Sequence, residues 1–234
     1  MKIALLGYGR MGKAIEAIVK VRGHEVVAKI DKDNPNDAID HADVAINFSV
    51  PSAAVTNITH ALQQGIPVVC GTTGWLEHKS DIEKLCEEKK GAFLYASNFS
   101  LGVNIFFALN EKLAQMMGQH TQYKASMKEV HHTEKLDAPS GTAITLAEGI
   151  LPHTAQQSWK LAEEASDSDL AITAKREPHV PGTHTVVYNA ENDAITIEHI
   201  AHNRDGFALG AVVAAEWILG KSGIFTMNDV LNIT

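Results

Sequence analysis

The chain opens on four apolar residues in a row, Ile3-Ala4-Leu5-Leu6, and then changes period: Met11, Ile15, Ile18 and Val19 recur at helical spacing up to Arg22-Gly23. The alternation repeats. Residues 26–30 and 44–48 read as strands, a helix through Ala54, Ile58 and Leu62 stops at Gly65, and residues 66–70 form a further strand. A charged helix over about 80–90 then precedes a strand at 92–95. Apolar runs with no polar alternation are what strands buried on both faces look like. Strands that alternate with helices build βαβ units, and hence a parallel sheet.

From about Gly102 the pattern differs. A long helix pattern runs to Met117, and period-two alternation follows: Ile195 and Ile197 stand across the pleat from Thr196 and Glu198, with 185–188 as a neighbouring strand. That alternation predicts an open sheet with one polar face. Residues 207–219 return to a helix rich in alanine. The expected fold class is α/β, a Rossmann-like parallel-sheet domain with an α+β domain inserted into it. Residues 1–98 with 206–234 make up the dinucleotide-binding domain in this reading, and 99–205 the inserted one.

Composition narrows the class of protein. At 234 residues, 45% hydrophobic and 21% charged, the chain has the apolar share of a globular protein rather than a disordered one. The longest apolar-rich stretch, 207–219, is interrupted by Glu216 and falls short of the ~20 residues a bilayer requires. Met1-Lys2-Ile3 runs straight into a strand pattern, unlike a signal peptide. Cys70 and Cys86 supply neither a disulfide framework nor a metal knuckle, which suits a reducing compartment. The net charge of −8 disfavours a nucleic-acid partner. A cytoplasmic protein with no membrane and no nucleic-acid partner is expected.

Gly7-Tyr8-Gly9-Arg10-Met11-Gly12 fits GxGxxG directly after a strand and directly before a helix. Such glycines allow a tight turn, close approach of the backbone to a pyrophosphate, and close helix–strand packing. The helix start adds free N–H groups and the positive end of its dipole. Asp31 ends the second strand about 20 residues past Gly12, where an acidic side chain grips the adenosine ribose. Lys32 follows and could pair with a 2′-phosphate, so the expected cofactor is NADPH or NADH. Gly71-Thr72-Thr73-Gly74 and Ser97-Asn98-Phe99-Ser100 also follow strands. Ligands of doubly wound sheets lie beyond the carboxyl ends of the strands, which makes both turns cofactor-binding candidates.

The densest chemistry lies in Glu129-Val130-His131-His132-Thr133-Glu134-Lys135-Leu136-Asp137-Ala138-Pro139-Ser140-Gly141-Thr142-Ala143. It reads as a strand end, a turn marked by Pro139 and Gly141, and a helix start. Neighbouring strand residues point to opposite faces, so only one of His131 and His132 could enter a site if the strand continued through both. Histidine exchanges protons near neutral pH, and lysine can donate one or hold an anion. Ser140-Gly141-Thr142 at a helix start suits a substrate carboxylate. No HExxH pair or cysteine–histidine cluster is present, so no metal is expected.

HHTEKLDAPSGTA resembles the HHxxKxDAPSGTA signature of the 4-hydroxy-tetrahydrodipicolinate reductase (dihydrodipicolinate reductase) family. GRMG, GTTG and SNFSLGVN follow in that family's order. Val180-Pro181-Gly182-Thr183-His184-Thr185, and Arg204 with Phe207-Ala208-Leu209-Gly210-Ala211, extend the likeness. The glycine turn is one residue tighter than the family's GxxGRMG, the stretches after Asp31 and over 151–174 are trimmed, and Ser97 stands in place of Ala. The resemblance implies a homotetramer whose second domain carries a mixed sheet that binds substrate and builds the oligomer. It implies NADH- or NADPH-dependent reduction of a cyclic imine dicarboxylate, with loss of water, in lysine and diaminopimelate biosynthesis. Carried over position by position, His131 is the proton donor/acceptor and Lys135 the proton donor, while His132, Gly141 and Thr142 bind substrate. Gly7, Tyr8, Gly9, Arg10, Met11, Gly12, Asp31, Lys32, Gly71, Thr72, Thr73, Ser97, Asn98, Phe99 and Ser100 fall on cofactor positions.

Two other readings compete. A short Rossmann amino-acid dehydrogenase, similar to an aspartate dehydrogenase, explains the glycine turn but not Lys135 with Ser140-Gly141-Thr142. A non-enzymatic NAD(H) sensor would leave the proton-transfer cluster idle.

Overall fold

The computed structural model describes residues 1–34, 37–203 and 205–233. Its elements run β1 (Lys2–Leu6), α1 (Arg10–Val21), β2 (Glu25–Ile30), β3 (Val44–Asn47), α2 (Pro51–Gln63), β4 (Val68–Cys70), α3 (Lys79–Glu88) and β5 (Ala92–Tyr95). There follow α4 (Leu101–Met117), β6 (Lys124–His131), α5 (Gly141–Ile150), β7 (Ser158–Leu161), β8 (Asp169–Arg176), β9 (Gly182–Asn189) and β10 (Ala194–Ala201). The chain ends on α6 (Asp205–Ile218), β11 (Gly223–Phe225) and α7 (Met227–Leu231). It divides into two compact units, Met1–Leu101 with Asp205–Thr234, and Gly102–Arg204.

The first unit is a parallel six-stranded sheet in the order β11-β5-β4-β3-β1-β2. Its central strands β1, β3, β4 and β5 are mostly apolar because both faces are covered, whereas the edge strand β2 carries Glu25 and Lys29. Ile3 and Leu5 join Ile15 and Val19 of α1 and the alanines of α6 in one core, while Ala4 and Leu6 join Ala54, Ile58 and Leu62 of α2 in the other. Strand order changes direction at β1, where β2 lies on one side and β3 on the other, and such switch points open a crevice beyond the strand ends. Helix α6 sits very close to the chain after β5. A Cβ added to Gly210 would lie 1.6 Å from the carbonyl oxygen of Phe99, so only glycine permits this approach.

The second unit is a mixed sheet in the order β10-β9-β6-β8-β7, antiparallel from β10 to β6 and parallel from β6 to β7. Helices α4 and α5 cover one face. Phe106, Ala114 and Met117 from α4, with Leu146 and Ile150 from α5, pack on Ala125, Met127, Leu170, Ile172, Val186 and Tyr188. The alternate positions Ser126, Lys128, Thr173, Thr185 and Glu198 carry the polar face expected of an open sheet.

Four elements lie outside the sequence expectations: β7, β8, β11 and α7. Strand β7 is a four-residue edge carrying Ser158 and Lys160, and β11 has three residues, too few for any period to register. Among the described residues, no helix is long and apolar enough to cross a membrane.

The backbone clash at residue 210 gives a direct check. Gly210→Ala should destabilise the first unit by at least about 3 kcal/mol, lowering Tm by ~6–12 °C. Gly9→Ala, whose added Cβ meets nothing within 4 Å, should cost only the helix-cap preference for glycine, about 1 kcal/mol or less, and lower Tm far less in the same melts.

Candidate active site

Three turns of the first unit gather around Phe48. Gly7 sits at φ +104°, and a Cβ there would lie 2.2 Å from the Phe48 carbonyl oxygen. A Cβ on Gly71 would strike the Phe48 ring at 2.2 Å, and that ring stands 5.5 Å from the Phe99 ring. Gly12 is closed off in the same way, its Cβ position lying 2.3 Å from the Gly7 carbonyl. Gly7 and Gly71 are thus demanded by Phe48, and Gly12 by the backbone of the turn itself, whereas Gly9 is not crowded. Gly7 N–H also donates to Ile30 O at 2.8 Å, which ties the turn to the end of β2 beside Asp31.

Gly9 begins α1 without a side-chain cap, and no acidic residue stands in the helix's first turn. Its N–H groups are left for an anion, and the exposed Arg10 adds a cation at the same end, so the turn fits the pyrophosphate of a dinucleotide. The Tyr8 hydroxyl donates to Glu16, and Lys29 Nζ donates to Tyr8 Oη at 3.1 Å and to Glu16 at 3.0 Å. Tyr8 therefore braces the turn from within. The exposed Lys32 follows Asp31, whose Oδ1 accepts the Lys32 N–H at 2.8 Å. Thr72 is buried, its Oγ1 accepting from Ser49 N–H at 2.9 Å, whereas Thr73 and Ser97 are exposed. Asn98 Oδ1 accepts from Ser100 N–H at 2.9 Å and shapes the turn that buries Phe99.

In the second unit β6 ends at His131, so the strand limit does not extend to His132. Glu129 and His131, two apart, share the helix-covered face. Glu129 has no exposed surface. Its carboxylate accepts the Ser140 N–H on both oxygens at 3.1 Å and the Arg176 Nη2 at 3.2 Å. His131 Nδ1 lies 3.4 Å from Oε2, and His184 Nε2 lies 3.7 Å from it. Ser140 Oγ accepts the Ala143 N–H at 3.2 Å as N-cap of α5 and meets His184 Nε2 at 3.1 Å. Arg176 also donates to the carbonyls of Lys135 at 3.3 Å and Asp137 at 2.6 Å, pinning the intervening loop. Lys135 Nζ rests 2.8 Å from Asp137 Oδ2. Beside this loop Gly141 opens α5, with free space around it and Thr142 next in line.

Burial pushes the Glu129 pKa up, but the hydrogen bonds from His184 and Ser140 and the charge of His131 outweigh it and hold the carboxyl at about 2. Burial lowers His131 from an ordinary 6.5 to about 4; Glu129 opposes that, while His184, Lys135 and Arg176 reinforce it. His131 is therefore neutral at neutral pH in the free protein. The hydrogen bond from Lys135 holds Asp137 below its usual range.

The structure brings His131, Lys135, Ser140, Gly141 and Thr142 to one end of the mixed sheet, and sets Gly7 to Gly12 beside Asp31 at one end of the parallel sheet. Arg204 lies outside the described residues. Sequence reasoning assigned no role to Phe48, Glu129, Arg176 or His184. Glu129 was visible as the residue two before His131 on a strand; Arg176 and His184 reach it only through pairing of β8 and β9 with β6. Glu129, His131 and His184 offer donor atoms within 4.8 Å, a spacing a cation could use. Arg176 and Ser140 already occupy the carboxylate, so the cluster is built as a charge and proton network.

A parallel sheet with this glycine turn, joined to a second unit with an imidazole, an ammonium group and an uncluttered helix start, is the build of a nicotinamide-nucleotide-dependent oxidoreductase. Residues 1–99 match the family model described as dihydrodipicolinate reductase, N-terminus, and residues 102–231 the model described as dihydrodipicolinate reductase, C-terminus. The chain belongs to the dihydrodipicolinate reductase family. It is 54% identical over 235 residues to the 4-hydroxy-tetrahydrodipicolinate reductase of Christiangramia forsetii, spanning 99% of this chain and 98% of that one. With the enzyme of that name from Thermosipho africanus it shares 34% over 234 residues, 99% and 98% of the two chains. A dipicolinate-bound dihydrodipicolinate reductase from Paenisporosarcina sp. TG-14 has the same fold, with a TM-score of 0.77 over 97% of each chain at 22% identity.

The depressed values fix a direction for stability. Unfolded, His131 regains a proton near 6.5, whereas the fold resists it until about 4. Glu129 behaves likewise between 4.5 and about 2. In both windows the unfolded chain binds more protons, so stability is full above pH 6.5 and falls as the medium is acidified. Tm should drop by about 5 °C or more between neutral pH and pH ~4. In His131→Asn the decline over the upper window should flatten in parallel melts.

Proposed function

We propose that this chain reduces 4-hydroxy-tetrahydrodipicolinate to tetrahydrodipicolinate with NADH or NADPH and loss of water, a step of lysine and diaminopimelate biosynthesis in the cytoplasm. The observation that carries the reading is the run from His131 to Thr142, folded so that an imidazole, an ammonium group and the start of α5 flank one pinned loop. The first unit holds the nucleotide through Gly7 to Gly12, Asp31, Lys32, Gly71 to Thr73 and Ser97 to Ser100. Among these, Tyr8 and Thr72 contribute backbone rather than side chain, since both side chains are engaged internally. When bound, the reduced nicotinamide supplies the hydride.

The substrate is a dianion, and the second unit offers cationic and N–H groups for it. Gly141 and Thr142 give helix-start N–H groups for one carboxylate, and His132 stands at the near side of the same loop. Water leaves as the C4 hydroxyl together with a proton from the ring carbon between C4 and the imine. Hydride arriving at C4 of the resulting C=C bond, conjugated with the imine, leaves electron density that takes up one proton at that neighbouring carbon. Lys135 is the donor. Its ammonium group stands beside Asp137, whereas His131 is neutral at that pH and accepts or relays. A dicarboxylate ligand of the same class is named for the Paenisporosarcina enzyme, whose fold this chain shares.

A homotetramer is proposed through the uncovered face of the mixed sheet. That face carries Val130, Val187 and the exposed Ile200 among the hydroxyls of Thr183 and Thr185 and the charged Lys128 and Glu198, and the apolar members give a second sheet something to bury. Sedimentation should give four copies per particle, and Val187→Asp should shift the particle to smaller species; a monomeric wild-type chain would end this part.

Nicotinamide oxidation with freshly generated substrate, run with each coenzyme in turn, tests the activity. Lys135→Ala should lower kcat by about 10²–10⁴-fold while nucleotide affinity stays within about twofold. Unchanged turnover would remove Lys135 from the chemistry.

A further inference from the structure

Glu129 is a fully buried anion in a place where an apolar side chain would pack more simply. Two of its contacts are structural, the Ser140 N–H that starts α5 and the Arg176 guanidinium that pins the loop. Neither requires a carboxylate aimed at an imidazole. Yet Oε2 faces His131 Nδ1 at 3.4 Å and His184 Nε2 at 3.7 Å, and the two rings meet edge to face with centroids 5.0 Å apart.

His131 Nδ1 is buried and makes no aligned hydrogen bond among the described residues. A neutral imidazole carries its proton on one nitrogen and a lone pair on the other. A lone pair on Nδ1 would point at an anion and be repelled, whereas a proton there is attracted. The opposite edge is kept clear by Gly182, where an added Cβ would stand 3.1 Å from Nε2. The other charged groups acting on the ring are Lys135 in the loop, Arg176 on β8 and His184 on β9. All three are cationic or neutral, and His199, paired with His184 across β9 and β10, adds no anion. Glu129 is thus the one group among them that selects a tautomer by attraction.

We propose that Glu129 is a positioning residue: its carboxylate, locked by Arg176 and Ser140 and braced by His184, keeps the His131 proton on Nδ1 and so presents Nε2 as the proton-accepting edge. The same carboxylate fixes the first residue before α5, so ring orientation and the substrate-facing helix start are set by a single anion. The catalytic part of this inference rests on the reductase reading above; the tautomer does not.

Imidazole ¹⁵N NMR at neutral pH reads the tautomer directly, with the His131 signals assigned by their loss in His131→Asn. Wild-type protein should show His131 protonated on Nδ1. Glu129→Gln, which keeps shape and an acceptor for Ser140 but loses the charge, should move the proton population towards Nε2. It should also lower kcat at least about tenfold, with nucleotide affinity within about twofold. Glu129→Asp should keep the Nδ1 tautomer and recover part of kcat. A wild-type spectrum with the proton on Nε2 overturns the proposal even if no Glu129 variant folds, and so does a folded Glu129→Gln with an unchanged tautomer. Absence of turnover in the wild type would instead strike the reductase reading, since the spectra need no substrate.

Discussion

An ionised carboxylate with no exposed surface has to be matched by partners or the fold cannot hold it. Effective desolvation of such a group costs several kcal/mol, and each charge-assisted hydrogen bond returns about 1.5–3 kcal/mol. Glu129 accepts from Ser140 and Arg176 and has two imidazoles alongside, so partners win over burial and the group stays charged. Those partners come from β6, β8, β9 and the start of α5. Meeting the demands of one anion therefore gathers the ends of β6 and β8 and the starts of β9 and α5, which is why the titratable groups of the second unit concentrate there.

The first unit is governed by a different constraint, the absence of side chains. Gly7, Gly12 and Gly71 each face atoms that a Cβ would strike, and two of the three contacts involve Phe48. A pyrophosphate can be reached by backbone N–H groups only if the turn stays bare, and the turn stays bare because its neighbours already fill the space. Tyr8 illustrates the same logic. Its hydroxyl is drawn to Glu16 and Lys29, so a large residue within the glycine turn is held against its own unit rather than over the N–H groups at the start of α1.

Much of this was legible in the chain, and the limits are physical. Strands β1, β3, β4 and β5 could be read because two-sided burial leaves apolar runs, and β2 from the run over 26–30 that Lys29 interrupts. Helices α1 and α2 could be read because one-sided burial leaves a helical period, and α6 from its alanines, which are buried over most of the helix. Strand β8 was not read: Leu170 and Ile172 alternate correctly, but Lys175 and Arg176 end the pattern where the strand serves the site rather than the core. The paired glycines and the segment from His131 to Thr142 announced the two candidate sites. Phe48 did not stand out, since at the end of a strand its apolar character looks like core. Arg176 and His184 were out of reach for another reason: only the register of β8 and β9 against β6 carries them to Glu129, and register is a long-range property.

The choice of arginine at position 176 follows from the same anion. A guanidinium is a planar fork with several donors and stays charged at any accessible pH, whereas an ammonium group is a single point that deprotonates more readily when buried. Arg176 uses the fork fully, reaching Glu129, the carbonyls of Lys135 and Asp137, and its neighbour Lys175 O at 2.7 Å. One side chain thereby neutralises the buried carboxylate and ties down the loop bearing the proposed proton donor. A permanent cation there also keeps the compensation of the buried anion independent of pH, so the loop stays tied to the end of β8 and the carboxylate stays matched.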